Sequence, residues 1–144
     1  MEQESEVIEL WPTAQTNSGI HLLIEWFGCE CAPRLLRDVA ALRRLCLGAA
    51  NEAELPVLAE LFRPHDGTGV TGTMLMAESH LTIHTWPAAR SVALDVFVGA
   101  KARGNRAQAH AVHATLRDAM LPDKENLLSV NRGDRARAAA AIAD

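Results

Sequence analysis

The sequence predicts an α+β fold, a two-layer sandwich in which an antiparallel sheet carries two helices on one face. The predicted segments run in the order strand, helix, three or four strands, helix, strand. The middle strands are joined by connections too short for the crossover that parallel strands require, so their arrangement must be antiparallel. Helices on one face leave the other face of the sheet open, and a second copy of the chain is its expected cover.

The first strand and the first helix follow from the hydrophobic pattern of residues 19–48. Residues 20–27 are mostly apolar, rich in strand-forming side chains and bounded by glycines, which is typical of a buried strand. After Pro33 the apolar residues recur every three or four positions, with arginines between them, until Gly48. This spacing predicts an amphipathic helix that ends near Gly48.

The remaining elements are predicted from shorter patterns. They are strands over residues 55–62, 70–77, 80–86, 91–98 and 127–130, a loop over residues 63–69, and a helix over residues 103–120. Residues 1–18 are polar or acidic without a sustained period, so we expect a flexible N-terminal arm there. Residues 134–144 are expected to form a frayed tail, which leaves one domain over residues 19–133.

Composition excludes several classes of function. Eighteen acidic and fourteen basic residues give a net charge of −4, so the chain lacks the overall positive charge that attracts nucleic acid. No apolar run approaches the ~20 residues that span a membrane, and the acidic start is unlike a signal peptide. We expect a cytoplasmic protein with no membrane partner, whose three cysteines (Cys29, Cys31 and Cys46) are free thiols and bind no metal.

Residues 78–84 contain the closest grouping of potentially catalytic side chains in the chain. Glu78, Ser79, His80 and His84 place an acid, a hydroxyl and two imidazoles within seven residues. On a helix the two histidines could share a metal ion, but the β-branched residues between them favour a strand, which separates them by about 13 Å. Because Ser79 lacks the Gly-x-Ser-x-Gly turn, the residues alone leave two alternatives, a serine–histidine–acid triad or a polar sheet rim.

A longer pattern around these residues resembles a known family. The run Glu-Ser-His-Leu-Thr-Ile-His-Thr-Trp-Pro at residues 78–87, the Gly-Val-Thr-Gly at 69–72 and the Asp-Val-Phe at 95–97 resemble the bacterial and archaeal S-adenosylmethionine decarboxylase proenzymes. The resemblance extends over about residues 19–133. It implies an enzyme of polyamine biosynthesis that forms homodimers and acts on a small-molecule substrate.

The resemblance also implies roles for individual residues. The Ser79 hydroxyl would attack the Glu78 carbonyl, and elimination would split the chain into residues 1–78 and 79–144. Ser79 would thereby become a covalent pyruvoyl cofactor, whose ketone binds the substrate amine and accepts electrons during decarboxylation. His84 would serve the elimination. Thr71 stands where the family usually has a serine implicated in processing.

The sequence departs from the family pattern at two functional positions. Gly99 stands where the family has the cysteine that reprotonates the substrate carbon, and Ala88 stands where it has the glutamate that binds ribose. An insertion before residue 69 contains His65 and Asp66, which together with Phe62 are candidate substrate-pocket residues. A histidine and an aspartate beside a rebuilt pocket could supply a proton or bind an amino group.

Three functions are compatible with these residues. The first is decarboxylation of S-adenosylmethionine for spermidine synthesis. The second is pyruvoyl-dependent decarboxylation of ornithine or arginine, which have no ribose and so need no glutamate at position 88. The third is a non-catalytic relative that regulates an active enzyme. Because Glu78, Ser79, His84 and a hydroxyl at Thr71 are all retained, the sequence favours an enzyme.

Overall fold

A computed structural model describes residues 4–10, 18–65, 67–102 and 104–133, which form one seven-stranded sheet with helices packed on one face. The strands are β1 (Glu4–Leu10), β2 (Gly19–Phe27), β3 (Val57–Pro64), β4 (Val70–Met76), β5 (Ser79–Trp86), β6 (Ser91–Val98) and β7 (Lys124–Arg132). The helices are α1 (Arg34–Arg37), α2 (Val39–Glu52) and α3 (Asn105–Met120), with a short 3-10 helix at Pro87–Ala89. In the described part of the chain, no helix has the length and apolar character needed to cross a membrane.

The sheet confirms the predicted α+β sandwich. Its strand order is β1-β7-β2-β6-β5-β4-β3, and every neighbouring pair is antiparallel except β1 with β7. The predicted strand at residues 91–98 is confirmed at both ends as β6. Strand β3 continues to Pro64, into the segment predicted as a loop, because its partner β4 supplies backbone hydrogen bonds up to Val70.

The core lies between the helices and one face of the sheet. Side chains alternate along β5, so that Leu81 and Ile83 are buried under the helix layer while the residues between them face the other way. Helices α2 and α3 supply the opposing apolar surface, including the buried Leu42 and Leu116. Burial of these side chains fixes the register of β5, and with it the face on which each functional residue lies.

The helix predicted after Pro33 is two helices. The Asp38 carboxylate accepts hydrogen bonds from the backbone N–H groups of Ala40 and Ala41 at 2.9 Å and 3.2 Å, which makes Asp38 the N-cap of α2. The chain at Asp38 is extended, so α1 ends there. Helix α2 then continues beyond Gly48 to Glu52, because the Gly48 position is exposed and a glycine in a helix interior costs only about 1 kcal/mol.

The N-terminal arm contains a strand that the sequence analysis did not predict. Residues Glu4–Leu10 pair in parallel with Lys124–Val130 of β7, so the expectation of an arm without regular structure is wrong for this segment. The pairing is possible because one edge of β7 is left unpaired by β2. Residues 1–3 and 11–17, and the tail predicted over residues 134–144, lie outside the described residues.

Candidate functional site

The peptide bond between Glu78 and Ser79 lies at a two-residue turn that joins β4 to β5. Glu78 has a φ of 52°, in the left-handed region. A residue with a side chain adopts this conformation at a cost of about 1–2 kcal/mol, and such residues concentrate at functional sites. The backbone is therefore strained at the bond that the sequence analysis expects to be cut.

The Ser79 hydroxyl is held between two backbone groups. It donates a hydrogen bond to the Ala77 carbonyl at 3.1 Å and accepts one from the Gly99 N–H at 3.3 Å. Ser79 is only 5% exposed, because its side chain faces the helix layer. These contacts give the oxygen a fixed orientation beside the Glu78 carbonyl.

Gly99 lies against the same peptide bond. A Cβ atom at position 99 would lie 2.6 Å from the Glu78 carbonyl oxygen and 2.9 Å from the Glu78 Cβ. A cavity of about 370 Å³ opens beside the bond, and its lining includes Phe97, Gly99 and Arg132. The missing side chain at position 99 thus leaves space at the turn itself.

His84 and Thr71 form a second pair, at the other end of β5. They occupy opposite positions in the register of β4 and β5, and Thr71 Oγ1 lies 3.0 Å from His84 Nδ1. The Trp86 ring stacks on the His84 imidazole with a centroid distance of 6.0 Å. Both contacts restrict the imidazole, which projects from the face of the sheet that carries no helices.

The structure brings Glu78 together with Ser79, and Thr71 with His84, but it does not bring the two pairs together. Ser79 and His84 are five residues apart in one extended strand, a separation of about 16 Å. Because five is an odd number, their side chains also lie on opposite faces of the sheet. His84 therefore cannot reach the Ser79 hydroxyl of its own chain.

The predicted substrate-pocket residues have mixed outcomes. His65 donates from Nε2 to the Thr85 carbonyl at 2.6 Å, and its ring lies 6.2 Å from the Trp86 ring, so it shares the His84 end of β5. Phe62 belongs to the buried core, where its ring fills the space left by Gly72, and its role as a pocket residue stays a prediction. Asp66 lies outside the described residues.

Ala88, where the family has its ribose-binding glutamate, is exposed in the 3-10 helix that follows β5. It therefore lies near His84 and Trp86, at the opposite end of the strand from Gly99. The two departures from the family pattern affect the two ends of β5 separately.

A third group of polar side chains was missed by the sequence analysis. The sheet brings His21 of β2, His80 of β5 and Asp95 of β6 together, and both imidazoles lie with Nε2 at 3.1 Å from Asp95 Oδ1. The hydrogen bond from His21 is the largest effect on the pKa of Asp95, and it lowers that pKa against the opposing effect of burial. Only the register of three strands reveals this group, since its members are far apart in sequence.

These three residues offer a donor set that transition metals accept, with ligand atoms within 4.8 Å of one another. Arg132, however, lies with Nη1 at 3.2 Å from His21 Nδ1. A guanidinium can only donate, so Nδ1 accepts and the His21 proton is on Nε2, where it is donated to Asp95. The group is accordingly a hydrogen-bonded network, and a metal ion would have to displace Arg132 and this proton.

The three cysteines are free thiols, as predicted. Burial raises the pKa of Cys29 to about 12, with a further contribution from Cys31, and burial alone raises that of Cys46 to about 12. Both thiols belong to the hydrophobic core. Their role is packing.

Comparison with known proteins finds one family over most of the chain. The family model described as S-adenosylmethionine decarboxylase matches residues 20–133. A proenzyme of that name from Parasynechococcus marenigrum is 35% identical over 126 residues, which cover 88% of this chain and 91% of the relative. The corresponding proenzyme from Thermodesulfovibrio yellowstonii is 39% identical over 79 residues, 55% of this chain and 57% of that one.

Further relatives match over a similar core. The proenzyme from Thermococcus kodakarensis is 38% identical over 90 residues, and the matched part spans 62% of each chain, less than two thirds of the relative's length. Among solved structures, the adenosylmethionine decarboxylase from Aquifex aeolicus has the same fold, with a TM-score of 0.73 and 24% identity over 82% of this chain and 92% of that one. With its family match over most of the described residues, the chain belongs to the S-adenosylmethionine decarboxylase family.

Proposed function

We propose that this chain is a pyruvoyl-dependent decarboxylase of polyamine biosynthesis, made as a proenzyme that cuts itself between Glu78 and Ser79. The observation that carries the proposal is the scissile turn: Glu78 is strained, and the buried Ser79 hydroxyl is oriented by two backbone groups. A regulatory protein without catalysis would have no use for this strain.

The chemistry of the cut follows from these atoms. Ser79 Oγ adds to the Glu78 carbonyl carbon, the peptide C–N bond breaks, and an ester with a free Ser79 amine results. Removal of the Cα proton of residue 79 then expels the Glu78 carboxylate. Water hydrolyses the remaining enamine in its imine form, releasing ammonia and leaving a ketone at residue 79. A pyruvoyl group of this kind supplies an electron sink for decarboxylation.

The elimination requires a base, and the geometry supports a base from a second copy of the chain. His84 cannot reach the Cα proton of residue 79 within one copy, since it lies about 16 Å away at the other end of β5. That open face carries Leu23, Phe27, Leu75 and Trp86, which are 39–56% exposed. We propose a homodimer in which two open faces meet, so that the His84–Thr71 pair of the partner subunit completes each processing site.

S-adenosylmethionine is the proposed substrate, because the family and the relatives carry its name. The groove of about 530 Å³ on the open face includes Glu25, His84 and Asp95 in its lining. Three carboxylates line this groove, those of Glu6, Glu25 and Asp95, and they suit a cationic substrate such as a sulfonium. Ala88 contributes no carboxylate for a ribose, so ornithine and arginine belong in the same assay.

The test begins with the intact mass of the purified protein under denaturing conditions. We expect two fragments, residues 1–78 and 79–144, with the second one bearing a ketone in place of the Ser79 amine. Cyanoborohydride should link that fragment to its substrate amine, and carbon dioxide should be released from S-adenosylmethionine. An uncut chain of 144 residues with no release of carbon dioxide from any of the three substrates would refute the proposal.

A further inference from the structure

We propose that His80 is the general acid that returns a proton to the substrate carbon after decarboxylation, in place of the cysteine that the family pattern has at position 99. Gly99 has no side chain that could donate a proton, whereas His80 follows residue 79 directly and is hydrogen-bonded to Asp95. This inference rests on the proposed function, since it concerns the reaction that follows the cut.

The register of β5 and β6 places His80 next to the position without a side chain. His80 is paired with Phe97, and Gly99 lies two residues beyond Phe97, so all three positions belong to the same face of the sheet. Diagonal neighbours of this kind are about 7–8 Å apart, a distance that long side chains can bridge. The His80 ring lies 5.6 Å from the Phe97 ring, and Phe97 and Gly99 both line the cavity of about 370 Å³ beside the scissile bond. An imidazole at position 80 can therefore reach a substrate held in that cavity.

The hydrogen bonds of His80 leave one ring nitrogen available. Nε2 lies 3.1 Å from Asp95 Oδ1, and an ionised carboxylate can only accept, so Nε2 carries a proton and donates it. The hydrogen bond from His21 lowers the pKa of Asp95, which keeps this carboxylate ionised. Among the described residues, His80 Nδ1 has no hydrogen-bond partner, and the side chain is 36% exposed. When the ring is protonated, Nδ1–H can donate a proton from the open face while the Asp95 charge stabilises the imidazolium.

The other titratable groups near residue 79 are less suited to donate a proton. Both nitrogens of His21 are engaged, because Nδ1 accepts from Arg132 and Nε2 donates to the carboxylate. Arg132 itself cannot give up a proton. Lys101 is 86% exposed and lines a separate cavity. Of the residues that the structure describes around this cavity, His80 is the one best placed to act as an acid.

The acid decides between two products. Loss of carbon dioxide leaves its bonding electron pair shared between the substrate carbon and the carbon derived from Cα of residue 79. When His80 Nδ1 gives its proton to the substrate carbon, one water then hydrolyses the C–N bond, releasing the amine product and restoring the ketone. A proton added to the carbon of residue 79 leads instead, after the same hydrolysis, to an aldehyde product and to alanine at residue 79. This alanine keeps the substrate nitrogen and ends the activity of that chain.

The experiment compares His80→Gln with His110→Gln, which changes an exposed histidine of α3. A glutamine can still donate a hydrogen bond to Asp95, but it cannot give up a proton. Each cut protein turns over whichever of the three substrates the wild type decarboxylates. Mass spectrometry of the fragment of residues 79–144 then gives the ratio of alanine-ended chains to released carbon dioxide. We expect this ratio to rise about tenfold or more in His80→Gln, since a positioned acid contributes about 10²–10⁴-fold to a proton transfer, and to stay at the wild-type value in His110→Gln.

Asp95→Asn tests the same role with the imidazole in place. The ring loses the charge that stabilises its protonated form, so the ratio should rise by a smaller factor than in His80→Gln. Both variants should be cut as the wild type is, because the hydrogen bonds of the Ser79 hydroxyl involve neither side chain. A purely structural role would lower the melting temperature and the activity without changing the ratio.

The remaining outcomes separate this inference from the proposed function. An unchanged ratio in His80→Gln, or in Asp95→Asn if His80→Gln does not fold, would overturn the inference and leave the proposed function intact, with water or His84 of the partner subunit as the acid. A His80→Gln chain that folds but stays uncut would also overturn it, since His80 would then act in processing. A wild-type chain that is never cut, or that releases no carbon dioxide, would overturn the proposed function and this inference together.

Discussion

The two ends of strand β5 hold their candidate functional side chains in different ways. At its start, Ser79 is buried, faces the helices and is oriented by backbone groups of its own chain. At its end, His84 and Trp86 lie on the open face, and His84 is oriented by a side chain, that of Thr71. The hydrogen-bond partners of Ser79 belong to its own chain, whereas the His84 imidazole projects from the open face of the sheet. This difference is the basis for the proposal that the nucleophile and the base of one reaction belong to different copies of the chain.

The largest effect is expected at the start of the strand. Ser79→Ala removes the proposed nucleophile, the hydroxyl that donates to the Ala77 carbonyl at the turn, so cleavage should be abolished and the chain should keep its full mass. Ser91→Ala, which changes a hydroxyl opposite Trp86 at the other end, should be cut normally. Mass spectrometry distinguishes the two, and cleavage of Ser79→Ala would show that another residue is the nucleophile.

The second prediction tests whether the two ends act across copies. Ser79→Ala and His84→Ala should each remain uncut alone, but after co-expression the His84→Ala chain meets His84 of the partner subunit and should be cut. Random pairing places about half of the His84→Ala chains in such mixed dimers. A mass tag on one variant identifies which chain is cut. If no cleaved chain forms although mixed dimers are present, the two ends act within one copy.

A smaller effect is expected from the hydrogen bond that orients His84. Thr71→Val removes the hydroxyl 3.0 Å from Nδ1, so the base is less well placed and the elimination should slow by about tenfold. The ester then accumulates and becomes sensitive to hydroxylamine, which splits esters but not amides. Thr71→Ser keeps the hydroxyl and should be cut at close to the wild-type rate. Identical rates for Thr71→Val and Thr71→Ser would remove Thr71 from the mechanism.

The smallest effect concerns the stability of the open face. Asp95→Asn weakens two hydrogen bonds from His21 and His80, which should cost about 1–2 kcal/mol, reduced by solvent because the carboxylate is partly exposed. The hydrogen bond from His21 lowers the pKa of Asp95 in the folded state, so its contribution is complete above the ordinary pKa of an aspartate. It is lost as the pH falls through the lowered value.

Denaturant unfolding of the wild type and Asp95→Asn between neutral and acidic pH measures this contribution directly. The difference in the free energy of unfolding should be constant near neutral pH and should vanish in acid. A difference that stays the same at all these pH values would mean that the carboxylate charge contributes nothing.

The local parts of the fold were predictable, and the parts that depend on distant strands were not. Residues 91–98 alternate between apolar and more polar side chains and predict their own strand, and the run at residues 78–87 contains the turn and the candidate nucleophile Ser79. Strand β1 could not be predicted, because its partner β7 lies more than a hundred residues away and the apolar Val7 and Ile8, which stand between acidic residues, are exposed. The group of His21, His80 and Asp95 depends on the register of three strands in the same way.

One property of the site was available in the sequence but was not used. Ser79 and His84 are an odd number of positions apart, so a strand through both must place them on opposite faces. The predicted strand began at His80, whereas β5 begins at Ser79, and this one residue places the proposed nucleophile and base in the same strand on opposite faces. The left-handed backbone conformation of Glu78, in contrast, could be seen only in the structure, since nothing in its side chain favours that conformation.

The strand order has a consequence for a chain that has been cut. The fragment of residues 1–78 contains β1 to β4, and the fragment of residues 79–144 contains β5 to β7. In the sheet these alternate, so that β1–β7, β7–β2, β2–β6 and β5–β4 are all pairs between fragments. The two products are thus interleaved and not side by side. They cannot part without separating four ladders of backbone hydrogen bonds, so the severed protein should unfold as a single cooperative unit.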